Sequence, residues 1–189
     1  RIVGTDRTQS FQSVAQAAAP ADGGASFDES ETFAPTTSTY PNGTHICELE
    51  IDMGTGTVEV VDYSVVDDFG KAINPLLLKG QVHGGIAQGL GQALLECCMY
   101  EPESGQLLSA TFMDYTMPRA DDLPSIRFKR NEVPCTTNPL GIKGAGEAGA
   151  IGAPPAIINA VVNALAEFGV RHVDMPVRSA QLWQIIQAQ

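Results

Sequence analysis

A helix that must carry Gly80, Gly84, Gly85, Gly89 and Gly91 restricts the folds open to this chain more than any other stretch. From Asn74 to about Glu96 the pattern is helical. Asn74-Pro75 supplies a cap and a first-turn proline, and Val82, Ile86, Ala93 and Leu94 recur on one side. Each interior glycine weakens a helix by about 1 kcal/mol relative to Ala. These glycines therefore need a compensating contact, either a second backbone or a ligand lying close against the helix. Gln81, Gly85, Gln88 and Gln92 form a second, polar stripe. Spacing leaves two readings of it open: a ligand-facing side, or tight helix packing with solvated glutamines. His83 stands beside the glycines with no partner ligands in sequence and reads as structural rather than metal-binding.

The segments around this helix alternate in type. Cys47, Leu49, Ile51 and Met53 interleave with Glu48, Glu50 and Asp52, the pattern of a half-buried antiparallel strand. Gly54-Thr-Gly56 turns it into a second strand, Thr57 to Val66, whose phase slips at Val60-Val61 and predicts a bulge. Asn42-Gly-Thr44, ahead of the hairpin, reads as a turn, and Met99 to Met117 as two short strands joined at Glu103-Ser-Gly105. Ile126 to Val133 is another strand, with Arg127, Lys129 and Asn131 outward. Ile157, Ile158, Val161, Val162, Leu165 and Phe168 line one side of a later helix that Gly169 stops. A last amphipathic helix after Pro176 carries Leu182, Ile185 and Ile186, with Trp183 as packing anchor. The order is mixed rather than alternating, so the class is α+β: antiparallel hairpins and a mixed sheet packed with the glycine-rich helix and two further helices. Residues 1–40 read as an irregular connector and 41–189 as the domain. Within the connector, Ser10 caps a short helix, Phe11 to Ala19, and Pro20 to Tyr40 is extended.

A net charge of −11 argues against a nucleic-acid binder and against docking on anionic membranes. No apolar run approaches the roughly 18 residues of a membrane span. Cys47, Cys97, Cys98 and Cys135 lack C-x-x-C spacing, so neither a zinc nor an iron–sulfur site is expected from this chain. Cys97-Cys98 read as buried thiols at a helix end, and the whole fits a reducing, cytoplasmic setting. The chain opens on Arg1 without an initiator Met, which suggests a fragment or processed piece.

The stretch Asn138 to Ala156 holds Gly141, Gly144, Gly146, Gly149 and Gly152 but only one base, Lys143, and one acid, Glu147. A glycine-lined loop running toward a helix presents free N–H groups to an anion. The prolines Pro154-Pro155 are expected to set the start of that helix. A lone carboxylate in such a loop has the character of a reactive group. Gly144-Ala-Gly-Glu-Ala-Gly149 matches G-x-G-x-x-G, but the preceding strand ends at Val133, and the following acid, Glu167, lies in a helical pattern. A dinucleotide site is therefore not expected.

Several of these stretches together resemble the molybdenum hydroxylases, the family of xanthine dehydrogenase, aldehyde oxidoreductase and aerobic carbon monoxide dehydrogenase. Gly80-Gln-Val-His-Gly-Gly-Ile-Ala-Gln-Gly-Leu-Gly91 is similar to the family's pterin-contacting helix, and Lys143-Gly-Ala-Gly-Glu147 to the segment bearing its active-site glutamate. Asp174-Met-Pro176 followed by Trp183 resembles its chain end, and Tyr40-Pro-Asn-Gly43 its entry to the hairpin. The resemblance implies molybdopterin, in its cytosine dinucleotide form, with Glu147 as general base. It implies Gln81, Val82, Lys143, Gly144, Ala145 and Gly146 as cofactor-binding residues. No residue of this chain would ligate the metal. [2Fe–2S] and FAD would sit on partner subunits or domains, in a hetero-oligomer acting on a small molecule. The substrate would be an electron-poor carbon of an N-heterocycle or aldehyde, or CO.

Such subunits are several times longer, so the resemblance implies a C-terminal part that needs the rest of its subunit to hold cofactor and would be inactive alone. The alternative is a non-catalytic structural or assembly domain of the same fold.

Overall fold

The computed structural model describes residues 3–18 and 30–188. Backbone contacts divide the chain into Arg1–Thr36 and Thr37–Gln189. Among its described residues the first unit contains one helix, α1 (Phe11–Ala18), in which the Ser10 hydroxyl accepts the Ser13 N–H as the expected cap. Ala19 and the first part of the predicted connector lie outside the described residues; residues 30–36 are irregular.

The second unit is built on a hairpin, β1 (Asn42–Ile51) and β2 (Val58–Asp68), paired antiparallel. The register steps between Glu48–Asp62 and Leu49–Val60, leaving Val61 as the extra residue. This bulge answers the phase slip in the sequence: Val60, Tyr63 and Val65 all face inward, while Val61 is exposed. Asn42-Gly-Thr44 is not a turn. It pairs with Asp68, Asp67 and Val66 as the start of β1. Gly43 is required there because the Asp67 carboxylate fills the space a Cβ would take. β3 (Ile126–Arg130) adds to β2 in parallel, so the sheet is mixed, in the order β1-β2-β3.

α2 (Pro75–Leu90) connects β2 toward β3 and continues as a π-helical turn, Gly91–Leu95. The Asn74 carboxamide accepts the Leu76 and Leu77 N–H groups as its cap. α3 begins at Ala148, well before Pro154-Pro155, and runs to Ala164. The prolines therefore lie inside it, contrary to their predicted place at its start. They remove two N–H donors from the helix ladder, a loss normally costing roughly 3 kcal/mol or more per proline. Packing explains how the helix survives this. The Pro154 ring and the Ala153 methyl fill the space beside Gly89 on α2.

The remaining expectations fare unevenly. Tyr100 and Leu107 form a single bridge around Gly105, so Met99 to Met117 contains no strand. Phe112 and Met113 in that segment are exposed and have no sheet to pack on. Cys97 lies half-buried beyond the helical turn, and Cys98 is exposed. In α4 (Ser179–Gln187) it is Leu182 and Ile186 that are buried, with Val161, Leu165, Val173 and Val177. Trp183 is 44% exposed and is not the interior anchor.

Candidate functional site

Two glycines make the joint on which the site rests. A Cβ on Gly85 would lie 2.9 Å from the Gly149 Cα, and one on Gly149 would lie 2.5 Å from the Val82 carbonyl oxygen. One turn further on, Gly89 meets Ala153. These paired contacts rise together, so α2 and α3 run in the same direction with backbone against backbone. Gly149→Ala is expected to lower the melting midpoint, with a cost of about 1–3 kcal/mol for overpacking. Melts that superimpose on those of the unmodified chain would exclude this tight contact.

The crossing accounts for two glycines of the stripe by packing. Gly85 and Gly89 are occupied by α3, so Gly85 belongs to the buried side of α2 and not to its polar stripe. A Cβ at Gly80 or Gly84 meets nothing within 4 Å, and Gln81, Gln88 and Gln92 are exposed. Val82 is fully buried between the helices, so its side chain belongs to the core. His83 is half-buried, and its Nε2 has no hydrogen-bond partner among the described residues. Burial, with the Lys79 charge second, holds its imidazole below the usual range.

The loop before α3 is tied down on its inner side and open on its outer side. The Asn138 side chain closes it, donating to the Ile142 carbonyl at 2.8 Å and accepting the Ile142 N–H at 3.1 Å. The Lys143 N–H donates to the Phe69 carbonyl at 2.9 Å, at the end of β2. The Lys143 ammonium turns inward to Asp68, Nζ to Oδ2 2.5 Å, with both side chains largely buried. Asp68 Oδ1 accepts the Gly70 and Val133 N–H groups. Burial alone would push this carboxyl up; the Lys143 ammonium and the two N–H donors outweigh it and hold Asp68 below the usual carboxylate range. Neither Asp68 nor Asn138 stood out in the sequence. The available signal was a pair of acids, Asp67-Asp68, ending a valine-rich strand.

Beyond Lys143 the chain opens outward. Gly144 and Gly146 are exposed, and a Cβ on either would meet nothing within 4 Å; the Gly144 N–H donates to the Thr39 hydroxyl. Ala145 packs against the core. Glu147 is the N-cap of α3: its carbonyl accepts the Ile151 N–H at 2.9 Å. Its carboxylate is exposed and has no partner among the described residues. Gln81 lies one turn before Gly85, and Ala145 lies as far before Gly149. Both Gln81 and the Lys143–Glu147 loop thus precede the Gly85–Gly149 contact in their own segments.

The family of molybdopterin cofactor-binding domains matches residues 1–124, which include the whole of α2. The chain belongs to this family. As a molybdopterin-binding domain of the molybdenum hydroxylases, it is 36% identical to the carbon monoxide dehydrogenase large chain of Hydrogenophaga pseudoflava, over 80% of this chain and 19% of that one. It is 39% identical to the nicotine 6-hydroxylase large subunit of Paenarthrobacter nicotinovorans, over 72% of this chain and 17% of that one. Quinoline 2-oxidoreductase from Pseudomonas putida 86 superimposes with a TM-score of 0.75 at 42% identity, covering 78% of this chain and 19% of the other. The molybdopterin-binding domain thus spans about a fifth of the length of the curated relatives it matches. None of the helices among its described residues is long and apolar enough to cross a membrane.

Proposed function

We propose that this domain supplies the general base and one wall of the cofactor cradle in a molybdopterin-dependent hydroxylase or dehydrogenase. The observation that carries the reading is the helix crossing. It supports the reading because the exposed Glu147 carboxylate starts the helix that packs on α2, and Gly80 and Gly84 on α2 and Gly144 and Gly146 in the loop all leave backbone bare.

These residues fit a flat, polar, anionic group such as the pterin. Gly80, Gly84, Gly144 and Gly146 leave the surface free of side chains, and no side-chain cap takes up the first-turn N–H groups of α3. Gln81 would hold the group through its carboxamide, and the backbone of Lys143 to Gly146 would line it. Val82 could contribute only main-chain atoms, since its side chain is in the core. Lys143 acts indirectly: engaged with Asp68, it fixes the loop and leaves the outer face to backbone donors. When bound, the molybdenum–pterin group supplies the redox chemistry that accepts electrons from the substrate. Glu147 takes up, at a carboxylate oxygen, the proton released in the reaction.

The substrate is an electron-poor carbon of an N-heterocycle or an aldehyde, or CO. Nicotine 6-hydroxylase and quinoline 2-oxidoreductase among the relatives support the heterocycle, and carbon monoxide dehydrogenase supports CO. The cofactor takes the cytosine dinucleotide form. Electrons leave through [2Fe–2S] centres and FAD on partner subunits, in keeping with relatives named as large chains or large subunits. In the assembled enzyme, Gln81→Ala is expected to weaken cofactor retention about 10-fold, the worth of roughly one hydrogen bond, with the melting temperature unchanged. Molybdenum and pterin content per chain, read beside a thermal melt, checks it. Full occupancy with a lowered melt would make this face of α2 scaffold only.

A further inference from the structure

Beneath the first turns of α3 lies a buried polar chain that the proposed chemistry does not use. Side-chain direction alternates along a strand, and the bulge restores the phase, so Tyr63, Val65 and Asp67 of β2 all point inward. His45 on β1 shares the inward phase of Cys47, Leu49 and Ile51. The Tyr63 hydroxyl lies 2.9 Å from His45 Nδ1, and His45 Nε2 lies 3.4 Å from Asp67 Oδ1. Tyr63 is 1% exposed and Asp67 2% exposed. Burial, followed by the neighbouring Cys47 and Asp67, pushes the Tyr63 phenol up. The protonated Tyr63 hydroxyl and His45 Nδ1 thus share a hydrogen bond, while His45 Nε2 faces Asp67. Asp67 Oδ2 has no hydrogen-bond partner among the described residues. The ring contact with His45 is thus what the structure offers this carboxylate from a side chain.

The other side of the imidazole touches α3. A Cβ on Gly152 would lie 2.6–2.7 Å from three atoms of the His45 ring, so the ring occupies the notch that this glycine leaves in the helix. The same junction borders a cavity of about 150 Å³ between Pro41–Gly43 and the α3 residues Ala148, Ile151 and Gly152. The ring is hydrogen-bonded through Nδ1 to Tyr63, with Nε2 3.4 Å from Asp67 Oδ1. A shift of α3 along its axis would drive the neighbours of Gly152 into it. Glu147 caps the same helix, bonded to Ile151 through its own carbonyl, so the backbone that bears the carboxylate is continuous with the helix that bears the notch.

We propose that Tyr63, His45 and Asp67 form a positioning network that seats the first two turns of α3 on the hairpin and thereby sets the location of the Glu147 carboxylate. The proposal rests on the reading of Glu147 as base. His45 is a positioning residue in this scheme, acting through the helix and touching neither substrate nor cofactor. A misplacement of about 1 Å can cost on the order of 10²-fold in rate.

The test uses the assembled, molybdenum-loaded enzyme. His45→Ala should lower kcat by about 10²-fold with KM and molybdenum content unchanged. Amide hydrogen exchange of the peptide spanning residues 147–157 should accelerate, while that of α4 stays at the wild-type rate. His45→Gln fills the seat and can still donate to Asp67, so it should restore most of the turnover. Gly152→Ala displaces the ring with its chemistry intact and should produce the same local exchange; it also serves if His45→Ala does not assemble. Wild-type exchange at the start of α3 in both His45→Ala and Gly152→Ala would overturn the proposal. Acceleration that extends to α4 would overturn it equally, by making His45 a general stabiliser. Glu147→Gln, run in parallel, separates the two ideas: if it stays active the base reading fails, and the exchange results still decide the seat.

Discussion

Glu147→Gln in the fully loaded enzyme is expected to lower turnover by about 10²–10⁴-fold, the usual contribution of a general base, with molybdenum content unchanged. Glutamine keeps the volume and the hydrogen-bonding reach of the side chain and removes its ability to accept a proton. The structure favours a clean result. The Glu147 side chain makes no capping bond, and what the helix takes from this residue is its backbone carbonyl, which the substitution preserves. Loss of a negative charge at the helix start is worth about 0.3–1 kcal/mol, too little to unseat the domain. Stopped-flow reduction by substrate, read beside metal analysis of the same preparation, checks it. Normal turnover at full metal content would leave Glu147 as an ordinary cap and remove the main support for the proposed function.

Lys143→Met is expected to destabilise the domain by about 3–5 kcal/mol, the range seen when one partner of a buried ion pair is removed. Asp68 would be left charged and largely buried, with only the Gly70 and Val133 N–H groups to compensate. Adding Asp68→Asn should recover much of the loss, because the Asn carbonyl can still accept both N–H groups while the stranded charge is gone. Denaturant titrations of the single and double variants make the comparison. The same pair governs acid sensitivity. Asp68 is held below its ordinary value in the folded state, so its contribution is complete above about pH 4, the unfolded carboxyl range, and is lost as pH falls through the lower folded value. Stability of the unmodified chain should therefore drop on acidification in that window, and less so for Asp68→Asn. An identical acid profile for the two would show that Asp68 is not the group responsible.

Much of this arrangement could be read from the sequence where the signals are local. The β1–β2 hairpin shows as alternation, the bulge as a one-residue slip at Val60-Val61, and α2 as Asn74-Pro75 followed by a helical stripe. Glu147 stood out because no other acid lies near it in the chain. What stayed hidden depends on partners distant in sequence. Asp68 and Lys143 are 75 residues apart, and neither residue type by itself announces a buried pair. The start of α3 was misjudged because proline prefers a first-turn position, whereas packing of Gly149 and Ala153 on α2 carries the helix back to Ala148. The glycines of α2 read as one group, yet Gly85 and Gly89 answer to a neighbouring helix, while Gly80 and Gly84 face open space. Only coordinates separate the two sets. Trp183 misled for a related reason: burial on α4 follows the phase of Leu182 and Ile186 and does not follow side-chain size.

The joint between Gly85 and Gly149 has a consequence for how such a domain can change over generations. Where side chains meet, a loss of volume on one side can be offset by a gain on the other, and lineages drift through such exchanges. At this crossing the facing atoms are main chain on both helices, so there is no volume to exchange. Any side chain at either position must push the helices apart, and no single second substitution draws them back. The outward residues around it, such as Gln88 and Ile151, carry no such constraint. The domain can therefore vary its outward side chains freely, while the helix contact beneath them holds to glycine.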